Sequence, residues 1–206
     1  MPLARRGLRR RIEVFSPKLG HRLSLGSYDA WQLWLALEAN PRVISFCERP
    51  ALLDAAQQIT IDFWVQLTAP AASEFWLLER EEDEAGEHQE SDAAADKPTI
   101  PSHAHGLVLR QVSRAQLGAW SVPVTNWARI LPYLVTGRRF PDPLLEQSIV
   151  VLLGQPCSLD EILARFSDHD DVAVESALYS LVAYGRVVSP DLAMSLLSGT
   201  TRFRRA

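Results

Sequence analysis

Residues 81–105 run through acidic side chains, alanines and prolines with almost no apolar bulk. Such a composition cannot bury enough surface to offset the entropy of ordering it, so this stretch is expected to be a disordered loop. Every core element must then lie on one side of it or the other. Before the loop, Trp31, Leu33, Trp34, Leu35 and Leu37 crowd a helix over 28–39, with Ser27 at its N-cap and Pro41 as its stop. The two tryptophans read as core anchors. Residues 43–46, 59–67 and 74–79 have the texture of strands. After the loop, 106–112 reads as a strand, followed by a helix near 113–117 and another over 126–134. Strands alternating with helices on this scale predict the α/β class.

The C-terminal part differs. Gly137-Arg138-Arg139-Phe140-Pro141-Asp142-Pro143 has the glycine and proline content of a linker. Beyond it, a helix over 144–153 is followed by one that starts at Ser158, with Glu161 in the capping-box position, and by a third over 172–184. A short extended segment at 185–188 follows. Helices followed by a hairpin-like tail outline a small winged-helix-like α+β domain. In DNA-reading versions the third helix enters the major groove. Here its predicted exposed positions are Glu175, Ser176 and Ser180, which suits protein binding better, with Arg186 and the run 202–205 as the nearby cations. The division expected is a basic flexible arm at 1–14, a first domain at 15–136 containing the loop, a linker at 137–143 and a second domain at 144–206.

A net charge of -4 conceals a segregation. Arg5, Arg6, Arg9, Arg10, Arg11, Lys18 and Arg22 make the start strongly basic, whereas 79–96 holds nine acids against one arginine. A chain of acidic average can thus present a basic surface to phosphate, and those seven residues are the candidate DNA contacts. No apolar run approaches the roughly 20 residues of a membrane span, and no signal-peptide core follows the arginines, so a cytoplasmic protein with no membrane partner is expected. Cys47 and Cys157 lie far apart without histidines at ligand spacing and are expected to be buried free thiols. His88, His103 and His105 are read as incidental rather than metal-binding.

The residue that carries most chemical information is Asp62, in Ile59-Thr60-Ile61-Asp62-Phe63-Trp64-Val65, because an acid in a β-rich run is where metal-dependent nucleases hold a divalent cation. Upstream stand Phe15-Ser16-Pro17-Lys18, Ser27-Tyr28-Asp29-Ala30, Leu37-Glu38-Ala39-Asn40-Pro41 and Cys47-Glu48-Arg49-Pro50. Taken with Asp62, this order resembles the N-terminal half of the TnsA-type heteromeric transposase endonuclease subunits, over residues 15–65. The resemblance implies a restriction-endonuclease-like mixed sheet flanked by helices. It also implies a helical metal-binding Glu eight residues before Glu38, a position that holds Ala30 in this chain. Asp29 is adjacent, turned by about 100° around the helix. Glu38 is a lower-ranked substitute. On the strand where the family carries Gln-x-Lys or Glu-x-Lys, this chain has Leu78 and Arg80, and an arginine fork differs from the compact lysine ammonium.

What the resemblance implies is a subunit of a DNA transposition machinery that binds transposon ends, a DDE transposase subunit and an AAA+ ATPase regulator. Its endonuclease site would be degenerate and leaning inactive: Asp62 as metal ligand and catalytic residue, Asp29 and Arg80 as the remaining catalytic candidates, Mg²⁺ as cofactor if the site is active and none otherwise. The alternative is a non-enzymatic adaptor or regulatory protein that uses its winged helix to bind protein.

Overall fold

The structure, a computed structural model, describes residues 11–54, 59–68, 73–79 and 101–206. Strands β1 (Ile12–Phe15) and β2 (Arg22–Leu25) pair antiparallel as a hairpin. Its turn uses Gly20 at φ 78°, a left-handed conformation that a side chain would strain, and a Cβ there would also strike the Arg138 guanidinium.

Helix α1 (Tyr28–Ala39) starts at Ser27, whose hydroxyl accepts the Ala30 N–H at 3.1 Å. Ala30, Leu33, Trp34 and Leu37 follow the three- and four-residue spacing of one helix side and are buried.

Then come β3 (Val43–Glu48), β4 (Leu52–Asp54), β5 (Ile59–Thr60), β6 (Phe63–Leu67), β7 (Ser73–Leu78), β8 (His103–Ala104) and β9 (Leu107–Val112). Five of these form one mixed sheet in the order β3-β6-β7-β9-β8. Its single parallel pair, β7 with β9, sets Leu78 beside Val112, and the other pairs are antiparallel. Alternation along the strands divides the sheet's two faces. Phe46, Phe63, Val65, Trp76, Leu78 and Val112 join the main core with α1, whereas Ile61, Phe75, Leu77 and Leu109 form a smaller cluster. The β4–β5 pair supplies Leu53 and Ile59 to that second cluster.

The expectation of a disordered 81–105 needs correcting at its end. Residues 101–105 are ordered, because His103 and Ala104 pair with the outer edge of β9 and so satisfy their backbone groups without apolar bulk. His105 at φ 50° and Gly106 at φ 80° turn the chain between β8 and β9, and the His105 ring packs edge-on to Phe75 with Nε2 3.1 Å from the Leu52 carbonyl. The rest of that loop lies outside the described residues.

Helix α2 (Arg114–Ala119) begins at Ser113 with a reciprocal Gln116 capping box, and α3 (Ser121–Gly137) follows. The remaining chain is α4 (Pro143–Leu152), β10 (Cys157–Ser158), α5 (Leu159–Arg165), α6 (Asp171–Ala183), β11 (Val187–Val188), α7 (Asp191–Met194) and β12 (Arg202–Arg205). The short strands form an antiparallel sheet in the order β10-β12-β11. Ser158 and Glu161 make the capping box at the start of α5 that their spacing predicts.

The main core runs without a break from α1 through α3 into α4, α5 and α6. Asn126, on α3 and 1% exposed, fastens the end of the chain: its amide donates to the carbonyls of Leu192 at 2.9 Å and Ser195 at 2.7 Å and accepts the Leu197 N–H at 2.7 Å. Arg129 adds a bond of 2.6 Å to the Leu197 carbonyl. Tyr133 meets Tyr179 edge to face at 5.4 Å. Ser176, expected on the exposed face of α6, is instead buried, because Gly137 lets α3 come so close that a Cβ there would lie 2.6 Å from that of Ser176. Cys47 is a second correction: it is free but exposed, its alternation on β3 turning it away from buried Phe46. Cys157 is free and half-buried.

Candidate functional site

Asp62 sits in the irregular step between β5 and β6. Its backbone is held from both sides, the N–H donating to the Trp76 carbonyl at 3.1 Å and the carbonyl accepting from Arg49 at 2.8 Å. Arg49 takes φ 51° to make that bond. One carboxylate oxygen, Oδ2, accepts the Leu78 N–H at 2.8 Å. The aspartate therefore bridges the start of β6 to the end of β7, where Leu78 is buried and Glu79 is exposed.

Ala30 faces the core at 7% exposure. Asp29, one residue earlier, points elsewhere and pairs with Arg114 Nε at 3.4 Å. Asp29 and Asp62 are thus engaged by different groups, a guanidinium on α2 and a backbone N–H on β7. Among the described residues, no cluster of three His, Cys, Asp or Glu side chains is placed to hold a metal ion. Arg80, the third catalytic candidate, lies outside the described residues.

No family model matches this chain, and no curated protein matches it.

The basic candidates separate. Arg11, just before β1, and Arg22, at the start of β2, are exposed, while Arg5, Arg6, Arg9 and Arg10 lie outside the described residues. Lys18 is turned inward, contrary to its expected place on a phosphate-facing surface. Its ammonium donates to the carbonyls of Leu37 at 2.8 Å and Asn40 at 2.5 Å, satisfying the open C-terminal end of α1.

Beside it lies a polar cluster that the sequence reading did not identify. Glu38 is 1% exposed. It accepts the Ser16 hydroxyl, the Trp34 Nε1–H at 3.2 Å and the Lys18 backbone N–H at 3.4 Å. Burial raises the Glu38 pKa against the opposing pull of the Ser16 hydrogen bond and the Lys18 charge. Burial likewise lowers Lys18 to about 8, opposed by the Glu38 carboxylate. The signal was present in the sequence as Ser16-Pro17-Lys18 and the i, i+4 pair of Trp34 and Glu38, but nothing local indicates that the two segments meet. Chemically the cluster bolts the hairpin to α1. Ser16 is 0% exposed, so it is closed to any substrate.

Proposed function

We propose that this chain is a TnsA-like subunit of a DNA transposition machinery, with a degenerate metal-dependent endonuclease site, that works through binding rather than cutting. The observation that carries the reading is the joint arrangement at the first helix and the sheet: Ser27 caps α1, Ala30 occupies the core-facing position one turn in, and Asp62 stands at the head of β6 against β7. A five-stranded mixed sheet with helices packed on it is compatible with a restriction-endonuclease-like domain. The helix and strand order of 143–206 around β10-β12-β11 supports a winged-helix-like domain.

Mg²⁺ demands near-octahedral oxygen coordination and is held by carboxylates together with substrate phosphates. Asp29 is paired with Arg114, and among the described residues no cluster of three His, Cys, Asp or Glu side chains surrounds Asp62, so the second carboxylate that such a site needs is not in place beside it, which supports the degenerate reading. Exposed Arg11 and Arg22 would extend the N-terminal arm's contact with transposon-end DNA. The transposase subunit and the AAA+ ATPase remain the protein partners that the resemblance implies.

The alternative, a non-enzymatic adaptor, gains from one observation. Ser176 itself packs on α3, its hydroxyl donating to the Tyr133 carbonyl, so that position does not reach a DNA groove.

The test is strand nicking of a transposon-end duplex in Mg²⁺ or Mn²⁺ with a DDE transposase subunit present, for wild type and Asp62→Ala. Binding without cleavage by either protein is the expected result. Cleavage by wild type that Asp62→Ala abolishes would overturn the inactive reading, and absence of DNA binding would overturn the transposition reading.

A further inference from the structure

A cleft of about 450 Å³ opens between the β1–β2 turn, the C-terminal end of α3, the start of α4 and the length of α6. Its floor is one side of α6, where Ala173, Ser176, Ala177 and Ser180 recur at three- and four-residue intervals. Most of the polar groups around it are already engaged. Lys18 caps α1, Arg138 donates to the Pro17 carbonyl at 2.9 Å, and Ser176 donates to the Tyr133 carbonyl at 3.0 Å. Asp142 and Asp170 cap α4 and α6, and Glu146 accepts from Ser180 and Arg186. A phosphate or a small polar metabolite needs free groups to orient it, so this opening suits an apolar side chain better.

At its mouth Phe140 is 78% exposed and Tyr184 75% exposed. An aromatic ring standing in water beside an apolar cleft puts a knob and a hole on one surface. A two-fold contact between identical chains needs a self-complementary patch, and a knob beside a hole supplies one. The charges divide in the same way: exposed Arg138 and Arg139 precede Phe140, and exposed Asp168, Asp170 and Asp171 stand at the start of α6.

We propose that the cleft receives Phe140 from a second copy of this chain, in a symmetric dimer whose arginines face the partner's acidic turn. Sedimentation velocity on the full chain from about 1 to about 200 µM covers the range of small, transient interfaces. The expected result is a mass that rises from 23.0 kDa toward twice that value. Phe140→Ser should weaken association at least roughly tenfold, as loss of a central aromatic anchor does. Its thermal melt should not change, because the ring is exposed. Ala173→Trp, which plugs the cleft from its own floor, should weaken association similarly. A wild type that stays monomeric throughout would leave the cleft to an apolar segment of another protein and overturn the proposal. So would either variant associating like wild type.

Discussion

Asp29 and Arg114, 85 residues apart in sequence, meet at 3.4 Å between the first turns of α1 and α2. The pair turns the only acid adjacent to position 30 away from the core-facing side of the helix. With the arginine side chain 57% exposed, screening holds such a pair to about 0–1 kcal/mol, so Arg114→Ala should move the melting temperature by only about 3 °C or less. Placing a carboxylate at position 30 is the informative change. If α1 faces Asp62 as the proposed reading requires, Ala30→Glu should tighten Mn²⁺ binding roughly tenfold by supplying a second oxygen donor. Isothermal titration would show it, and Asp62→Asn in the same background should abolish the gain. Unchanged affinity would mean that position 30 is not the lost ligand.

The Ser16–Glu38–Lys18 cluster makes a sharper stability prediction. Glu38→Ala strands the Ser16 hydroxyl, the Trp34 Nε1–H and the Lys18 backbone N–H and should cost about 1–3 kcal/mol, roughly 5 °C in Tm for a chain of this size. Denaturant titration at neutral pH measures it.

The same cluster sets a pH dependence. Lys18 titrates at about 8 in the folded chain, whereas an unfolded lysine titrates at about 10.4. Between those values the unfolded state holds the extra proton, so this residue's contribution to stability grows as pH rises. Glu38 acts in the opposite sense at acid pH: its raised folded pKa means that its contribution falls as pH climbs past the ordinary glutamate value. Wild type should therefore gain stability relative to Lys18→Met between about pH 8 and pH 10. A difference that stays flat or shrinks over that interval would show that the folded lysine stays protonated.

On DNA, the exposed and the inward-turned cations should behave differently. Each phosphate contact adds about 0.9 to the slope of log affinity against log salt. Replacing both Arg11 and Arg22 with alanine should lower that slope by about 2, whereas Lys18→Met should leave it unchanged. A slope that falls for Lys18→Met would place that ammonium on phosphate rather than on the Leu37 and Asn40 carbonyls.

The outlines of α1, β3, α4 and α5 were legible because their signals are local. Ser27 and Ser158 announce caps, Pro41 forbids continuation, and the apolar crowding of Trp31, Leu33, Trp34, Leu35 and Leu37 marks a helix packed on the core. The single strand expected over 59–67 is instead broken at Ile61-Asp62, with β5 pairing β4 and β6 joining the five-stranded sheet. The failures share a different cause. That Glu38 receives Ser16, that Lys18 turns inward and that Ser176 is covered by α3 depends on residues 19 to 43 positions apart meeting in space. β8 escaped notice because its order comes from backbone pairing with β9, which leaves no trace in hydrophobicity.

The closest of those meetings supplies the last prediction. Gly137 ends α3 where a Cβ would lie 2.6 Å from the Ser176 Cβ, and neither backbone can yield without separating α3 from α6. Gly137→Leu should destabilise the protein by about 1–3 kcal/mol through overpacking. Asn126→Ala should cost a similar amount for a different reason, by stranding the Leu192 and Ser195 carbonyls and the Leu197 N–H. Hydrogen exchange separates the two. Gly137→Leu should speed exchange along α6, where the contact is lost. Asn126→Ala should speed it at 192–197 and leave α6 protected. If both variants loosened the same segment, the two attachments of the C-terminal part to α3 would be one cooperative unit rather than two.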